Sequence, residues 1–361
     1  MSHVETANRP NPGAGSPPPT DAAIEAFEIT KHFGATQALR GVTFTVPRGS
    51  VFGVIGPNGA GKTTTMRALL DIIRPSSGHA TVLGTDSRNA GPELRRRIGF
   101  LPGELILEGR ITGRKLLQHY ADISGPVRTG HIEELAERFH LDLGQPVRKL
   151  SRGNKQKLGI VQAFMHEPEL LVLDEPTSGL DPLMQQEFLL LVKEARDAGQ
   201  TVFLSSHVIS EIQQAADEVA ILRDGRIVTV ASVEALRQTA VRHLRMTATG
   251  IRPAELTERL GRLEGMAGLV CTAIAPPAGE TGAAATAATA VATEAIATLE
   301  GAIGPFIQAI STLALTDLVL EEPDLEESVL KLYTATPGAT AEDGGTGHPR
   351  GRRARGRKES K

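Results

Sequence analysis

The chain has 361 residues, 40% of them hydrophobic, and a formal net charge of −3 from 39 basic and 42 acidic side chains, so its overall charge offers no attraction to nucleic acid. That length accommodates two domains with cores of ordinary size. A single cysteine, Cys271, excludes an internal disulfide and fits a reducing cytosol, and no run reaches the roughly 18 apolar residues of a membrane-spanning helix.

Residues 1–22 hold Pro10, Pro12, Pro17, Pro18 and Pro19 with Gly13 and Gly15, lack a basic-then-apolar secretory pattern, and are expected to be a disordered leader. Residues 24–29 alternate in the manner of a strand and 42–46 read as a second one, together a small antiparallel sheet. Residues 51–55 are apolar and β-branched, as in a buried strand, and 62–70 read as a helix. Between them runs Gly56-Pro57-Asn58-Gly59-Ala60-Gly61-Lys62-Thr63, followed by Thr64. Glycines without a Cβ let such a turn wrap its N–H groups around an anion, and the helix N-terminus adds partial positive charge. The pattern is that of a phosphate-binding loop, with Lys62 reaching the β- and γ-phosphates of a nucleotide and the Thr63 hydroxyl ligating magnesium.

Helical patterns over 116–139, broken at Ser124-Gly125-Pro126, suggest a helical insertion. Next comes Leu150-Ser151-Arg152-Gly153-Asn154-Lys155-Gln156, and apolar residues then recur at helical spacing as far as Met165. Ser151 and Gly153 therefore fall at or just before a helix N-terminus, which is either a second anion site or a plain serine cap. Residues 170–173 are an apolar run ending in Asp174-Glu175. A buried strand there would deliver Asp174 to magnesium through water and set Glu175 to polarise an attacking water, although strands also end in acidic turns for no catalytic reason. Residues 182–198 read as a helix, 201–204 as a strand leading to His207, and 218–230 as a hairpin turned by Asp224-Gly225.

The order of these elements resembles an ATP-binding cassette (ABC) ATPase. Ser151 to Gln156 is similar to the family's signature, Asp174-Glu175-Pro176-Thr177-Ser178-Gly179-Leu180-Asp181-Pro182 to its acidic strand and D-loop, and Ser205-Ser206-His207 to its H-loop. Phe33, in Lys31-His32-Phe33-Gly34, stands where the family stacks an aromatic ring on adenine. The resemblance implies an α/β fold: a P-loop NTPase cassette over residues 23–238 with a RecA-like core, an antiparallel β subdomain and a helical subdomain. It departs from the family at two places. Gly103 occupies the usual Q-loop glutamine position, where alanine is expected to be tolerated, and neighbouring Glu104 either takes over as an oxygen ligand or is a solvated loop acid. The signature's second glycine is replaced by Asn154, with Lys155 before Gln156. Both variations are similar to the drug-resistance exporter ATPases of bacteria, of the daunorubicin-resistance kind.

From about Thr239 the composition changes, and residues 239–333 read as a smaller α+β accessory domain. Its Ala- and Thr-dominated stretch 273–298, with Pro276-Pro277 and Gly279, is expected to be a loop insert. Residues 311–320 are β-rich, and 324–333 open with an Asp-x-x-Glu cap and place Leu325, Val329 and Leu332 on one stripe. The Glu-Pro-Asp-Leu-Glu-Glu segment there weakly extends the same exporter resemblance. Residues 334–361 are expected to form a disordered basic tail, either simply solvated or weakly attracted to anionic lipid.

The resemblance implies ATP and magnesium as cofactors and a homodimer of cassettes, with Ser151 and Gly153 completing the partner chain's site and Asp181 among the nucleotide-binding residues. Lys62, Glu175 and His207 would carry the chemistry. It further implies a separate transmembrane permease and a cytoplasmic chain held peripherally on the inner face of the membrane through that permease. The alternative is a soluble ABC ATPase acting on nucleic acid or the ribosome. Such proteins usually bring a long coiled coil, zinc cysteines or a second cassette, and no nucleic-acid partner is expected here. A non-hydrolysing regulatory module fits less well with Lys62, Asp174, Glu175 and His207 all in place.

Overall fold

The computed structural model describes residues 21–107, 109–239, 241–274 and 292–321. Two long strands, β1 (Ala22–Phe33) and β2 (Thr36–Pro47), form a hairpin, followed by β3 (Val51–Ile55), α1 (Lys62–Leu69), β4 (Ser77–Val82), a short β5 (Thr85–Asp86), α2 (Pro92–Arg96) and β6 (Ile98–Leu101). The helical segment holds α3 (Gly113–Ser124) and α4 (His131–Arg138) and leads into α5 (Arg152–Phe164) and β7 (Leu170–Asp174). Then come α6 (Pro182–Asp197), β8 (Thr201–Ser206), α7 (Ile209–Ala215), the hairpin β9 (Glu218–Arg223) and β10 (Arg226–Ser232), and α8 (Val233–Thr239).

Six strands in the order β10-β9-β3-β8-β7-β6 make the central sheet, parallel except for the edge strand β10. Every residue of β3, β7 and β8 is buried, which is why these strands are continuous apolar runs rather than alternating ones. The edge strand β10 alternates instead. Two apolar clusters lie around the sheet. One, with Leu158, Phe164, Phe188 and Val192, packs under the helices; the other joins the sheet to the antiparallel sheet β2-β1-β4-β5 through the stacked rings of Phe44, Phe52 and Phe203, 5.5–5.9 Å apart. Such ring pairs add about 0.5–1.5 kcal/mol beyond their buried area.

The expected strands at 24–29 and 42–46 are the inner parts of β1 and β2, each of which runs to 12 residues. Their outer ends bear polar, partly exposed residues and register shifts at Ala26/Ile29 and Lys31/His32, so the alternation seen in sequence breaks before the pairing does. The first strand also starts one residue earlier than the expected domain boundary, at Ala22.

Within the α+β unit at the C-terminal side, β11 (Arg242–Thr249), α9 (Pro253–Leu260), β12 (Met266–Ile274), β13 (Ala292–Leu299), α10 (Gly304–Ile310) and β14 (Ala314–Leu320) follow one another. The all-antiparallel order β12-β13-β11-β14 is a split βαβ arrangement, with Leu244, Met246, Leu256, Leu260, Phe306 and Ile310 as its core. Here the stretch 273–298 departs from the expected loop: Ala273 and Ile274 end β12, and β13 is a central strand with Ala292, Ala295 and Ala297 buried. Alanine is generally depleted in strands, but here its small side chain lets β13 lie close under α9 and α10, and threonine's branched Cβ suits the pleat, so this low-complexity composition hides a core element. The leader up to residue 20, residues 275–291, the 324–333 helix and the basic tail lie outside the described residues.

Candidate active site

The parallel register sets the carboxyl ends of β3, β7 and β8 side by side, with Ile55 opposite Ser206 and Asp174 opposite Ser205. Ligands of open α/β sheets bind at this edge. The turn after β3 leads directly into α1, and its glycines have steric reasons to be there. Gly59 and Gly61 adopt positive φ of 83° and 112°, and a Cβ on Gly56 would stand 2.4 Å from the Leu222 carbonyl oxygen. Gly225 in the β9–β10 turn locks the loop from behind: its N–H donates to the Ala60 carbonyl (3.0 Å) and its own carbonyl accepts the Arg40 N–H (2.7 Å).

A cavity of about 370 Å³ opens over this loop. Pro57, Asn58, Gly59, Ala60, Gly61, Lys62, Thr63 and Thr64 form its floor, and Glu175 and His207 its far wall. Gly56 lies just beneath, its carbonyl accepting a 2.6 Å hydrogen bond from Lys62 Nζ. Glu175 faces two cations or potential cations. Lys62 Nζ is 3.1 Å from its Oε1, and His207 Nδ1 is 2.5 Å from its Oε2. Glu175 takes a left-handed backbone (φ 49°), a conformation costing of order 1–3 kcal/mol for a residue with a side chain. That backbone is held by Ser205 Oγ, which accepts its N–H (3.0 Å), and by Gln156 Nε2, which donates to the Glu175 and Pro176 carbonyls (3.3 and 2.9 Å). The same Ser205 hydroxyl donates to Asp174 Oδ1 (2.7 Å), so one side chain sets the direction of both acids. His207 is placed by the turn after β8, where Ser206 Oγ donates to buried Glu211 (2.6 Å) and accepts the Val208 N–H (3.0 Å).

Asp174 is 1% exposed and Thr63 lines the cavity, an oxygen-only donor set. Among the described residues no group of three or more His, Cys, Asp or Glu could hold a metal ion. Magnesium fits this arrangement, because it commonly takes one or two protein oxygens and completes its shell from substrate phosphates and water.

The other expected site residues stand apart from the cavity. Ser151 caps α5 by accepting the Asn154 N–H (3.2 Å), and Gly153 packs so closely on the D-loop that a Cβ would come within 2.7 Å of the Gly179 carbonyl. Asp181 caps α6 through the Met184 N–H (3.0 Å). Phe33 sits at the end of the β1–β2 hairpin, half-exposed, with Lys31 Nζ 5.0 Å from its ring centre. Glu104 is exposed and does not line the cavity, whereas Gly103 does. A Cβ at position 103 would meet Asp174 Oδ2 at 2.9 Å, so the chain passes the acid as bare backbone. An added side chain at position 103 would have to displace the Asp174 carboxylate, whose Oδ1 is held by Ser205. Ala38, Arg152 and Ser178 also line the cavity without having been singled out. Arg152 lay inside a recognised element, but a helix-start reading of that element draws attention to its cap and its glycine rather than to the long side chain between them.

Residues 39–178 match the family described as ABC transporter. The chain is 38% identical over 207 residues to the bacitracin transport ATP-binding protein of Bacillus licheniformis, covering 56% of this chain and 68% of that one. To the daunorubicin resistance ATP-binding protein of Streptomyces coeruleorubidus it is 36% identical over 222 residues, 60% and 70% of the respective lengths. A probable multidrug ABC transporter ATP-binding protein of Escherichia coli is 34% identical over 224 residues, but the match spans only 39% of that longer protein. Among solved structures, an ATP-binding subunit of an ABC transporter superposes with a TM-score of 0.56 at 30% identity, over 60% of this chain and 92% of that one. A dimeric cassette in a post-hydrolysis state with ADP and phosphate shares the fold, with a TM-score of 0.54 at 20% identity over 58% and 98%.

Proposed function

The chain belongs to the ABC transporter family, and on that premise we propose that it hydrolyses ATP to drive an exporter whose membrane path is a separate protein. The observation that carries the reading is Glu175, at the carboxyl end of β7, held between Lys62 and His207 over the phosphate loop.

Loop N–H groups from Asn58 to Thr64 and the start of α1 bind the phosphates, and Lys62 adds a charge that grows in worth as the γ-phosphoryl group separates. Thr63 and Asp174 would hold magnesium, which would supply positive charge to offset that of the phosphates. Glu175 takes a proton from the attacking water, while His207 orients water and phosphate. Two chains pair head to tail, so that Ser151 and Gly153 of each complete the site of the other. ATP then closes the pair and hydrolysis opens it.

The permease is proposed to dock beside the helical segment, in the groove lined by Ala90, Pro92, Arg95, Arg96, Ile123 and Ser124. Ile72 and Ile123 are more than half exposed near it, and no helix among the described residues is long and apolar enough to cross a membrane. The test is direct: the purified chain should release phosphate from magnesium-ATP, and co-expression should recover a multi-helix membrane protein bound to it. Absence of phosphate release from both the free chain and the complex would sink the reading.

A further inference from the structure

Two adjacent serines end β8, both buried, each hydroxyl donating one hydrogen bond and accepting another, yet they serve different parts of the site. Successive side chains of a strand point to opposite faces. Ser206 bonds Glu211 of α7 and the Val208 N–H, on either side of the turn that carries His207. Ser205, opposite Asp174 in the parallel register, donates to Asp174 Oδ1 at 2.7 Å and accepts the Glu175 N–H at 3.0 Å.

A serine hydroxyl has one proton to give and lone pairs to accept with, and Ser205 uses both on the acids. Its proton goes to a carboxylate that is 1% exposed, and its oxygen supports a backbone N–H in the left-handed conformation that Glu175 adopts (φ 49°). On its other side Ser205 is paired with Val54 of β3, whose side chain has no polar atom to take the place of the hydroxyl. The second oxygen of Asp174, Oδ2, lies beside Gly103, where a Cβ would stand 2.9 Å from it. The carboxylate is thus gripped by Oδ1 and passes bare backbone with Oδ2.

We infer that Ser205 is a positioning residue for both acids. Through Asp174 it sets how tightly magnesium is held with the nucleotide, and through Glu175 it sets how fast water is activated. This rests on the ATPase reading above, and goes beyond it in making two separate properties depend on one hydroxyl that is fully buried and does not line the cavity. Hydrogen-bond partners of metal-ligating groups matter by about 10–100-fold in metal affinity or activity, which gives the scale of the effect.

The experiment uses the full chain and measures binding of a non-hydrolysable ATP analogue in a chelator, binding of the same analogue across a magnesium titration, and steady-state phosphate release. Ser205→Ala should bind the analogue without magnesium within about two-fold of wild type, which shows the phosphate loop to be folded. Its magnesium midpoint should rise at least about ten-fold, and its kcat should fall by at least as much. Ser205→Thr keeps the hydroxyl and should recover most of both losses. Ser206→Ala also removes a buried hydroxyl that donates one bond and accepts another, but on the His207 side, so its kcat should fall while its magnesium midpoint stays within about two-fold of wild type. A wild-type midpoint or a wild-type kcat in Ser205→Ala would overturn the inference alone. So would an equal midpoint shift in Ser206→Ala, which would make the effect general loosening, or a Ser205→Thr chain that binds normally without magnesium and recovers neither loss. A wild-type chain that binds no nucleotide and releases no phosphate would overturn the ATPase reading and the inference with it.

Discussion

Lys62 and Glu175 face each other across the nucleotide cavity, Nζ to Oε1 3.1 Å. The lysine belongs to the phosphate loop and the carboxylate to the end of β7, so the pair joins the binding element to the hydrolytic one. A phosphate arriving at Lys62 offers it a stronger anion and releases the carboxylate toward water. Glu175→Gln should therefore lower turnover by at least about 100-fold, the lower end of what a general base contributes. ATP affinity should stay within a few-fold of wild type, because an amide still hydrogen-bonds the water, and ATP-bound dimers should accumulate on size exclusion. Near wild-type phosphate release from this variant would remove Glu175 from its role.

At Gly103 the packing argues against the tolerance that the Q-loop spacing suggests. A Cβ at Gly103 meets Asp174 Oδ2 at 2.9 Å and Cγ at 3.1 Å, while Glu104 is exposed and outside the cavity. Gly103→Ala must push on the acid proposed to hold magnesium and should lower kcat at least ten-fold with a raised magnesium requirement. Glu104→Ala should change basal ATPase less than two-fold. Steady-state assays across a magnesium titration separate the two, and a mild Gly103→Ala would restore the sequence-based expectation at that position.

What could be read from sequence here follows from how local each signal is. The phosphate loop, β7 with its two acids and the Asp224-Gly225 hairpin are contiguous, and each carries its own reason for its shape. Ser205 and Gln156 are different. Neither is chemically special, and they matter because the register sets Ser205 beside Asp174 and because α5 starts next to the Glu175 turn. The strand at 292–299 was hidden for another reason: a composition of alanine and threonine has no apolar alternation strong enough to mark it. Arg152 was missed because nothing local distinguishes an arginine aimed into a cavity from one in solvent.

Beside the apolar core they share, the helical segment and the layer covering the sheet are joined by a polar contact through Arg138. Arg138, at the end of α4, donates to Glu187 and to Glu194 on α6, with Nη2 to Glu194 Oε1 at 2.9 Å, and these carboxylates raise its pKa above the ordinary value. Hydrogen bonds to charged groups are worth about 1.5–3 kcal/mol, so Arg138→Ala should destabilise by about that much. Urea unfolding should show a lower midpoint at unchanged slope. A midpoint equal to wild type would mean that the contact adds nothing in solution.

The acid limb of stability should depend on Glu169. Arg97 donates to both its oxygens at 2.6 and 2.8 Å, and this holds the carboxyl below its ordinary pKa. A depressed folded pKa contributes stability that is present above the unfolded value, near 4.3, and is lost as pH falls through the folded one. Because Glu169 is about half exposed, the effect is small and should shrink further in salt. Glu169→Gln should flatten the fall in melting temperature below about pH 5 in low salt; an unchanged profile would show the pair to be inert.

Two features could hold the chain at a membrane, and they respond differently to salt. The basic residues near the C-terminus, Arg350, Arg352, Arg353, Arg355, Arg357, Lys358 and Lys361, would act on anionic lipid at about 1 kcal/mol each, an attraction that falls off within a Debye length. The groove at Arg95, Arg96 and Ile123 would act on a permease segment by apolar burial as well as charge. If the groove is the attachment, the chain should reach the membrane fraction only when the permease is co-expressed. Washing with about 0.5 M salt, where the Debye length falls below the 8–10 Å of ordinary buffers, should then leave it there. Deleting residues 347–361 should likewise leave it bound, whereas Ile123→Glu should release it without lowering the basal ATPase of the free chain. Complete release by salt or by the deletion, with the Ile123→Glu chain retained, would make the tail the anchor and remove the groove from the partner's binding surface.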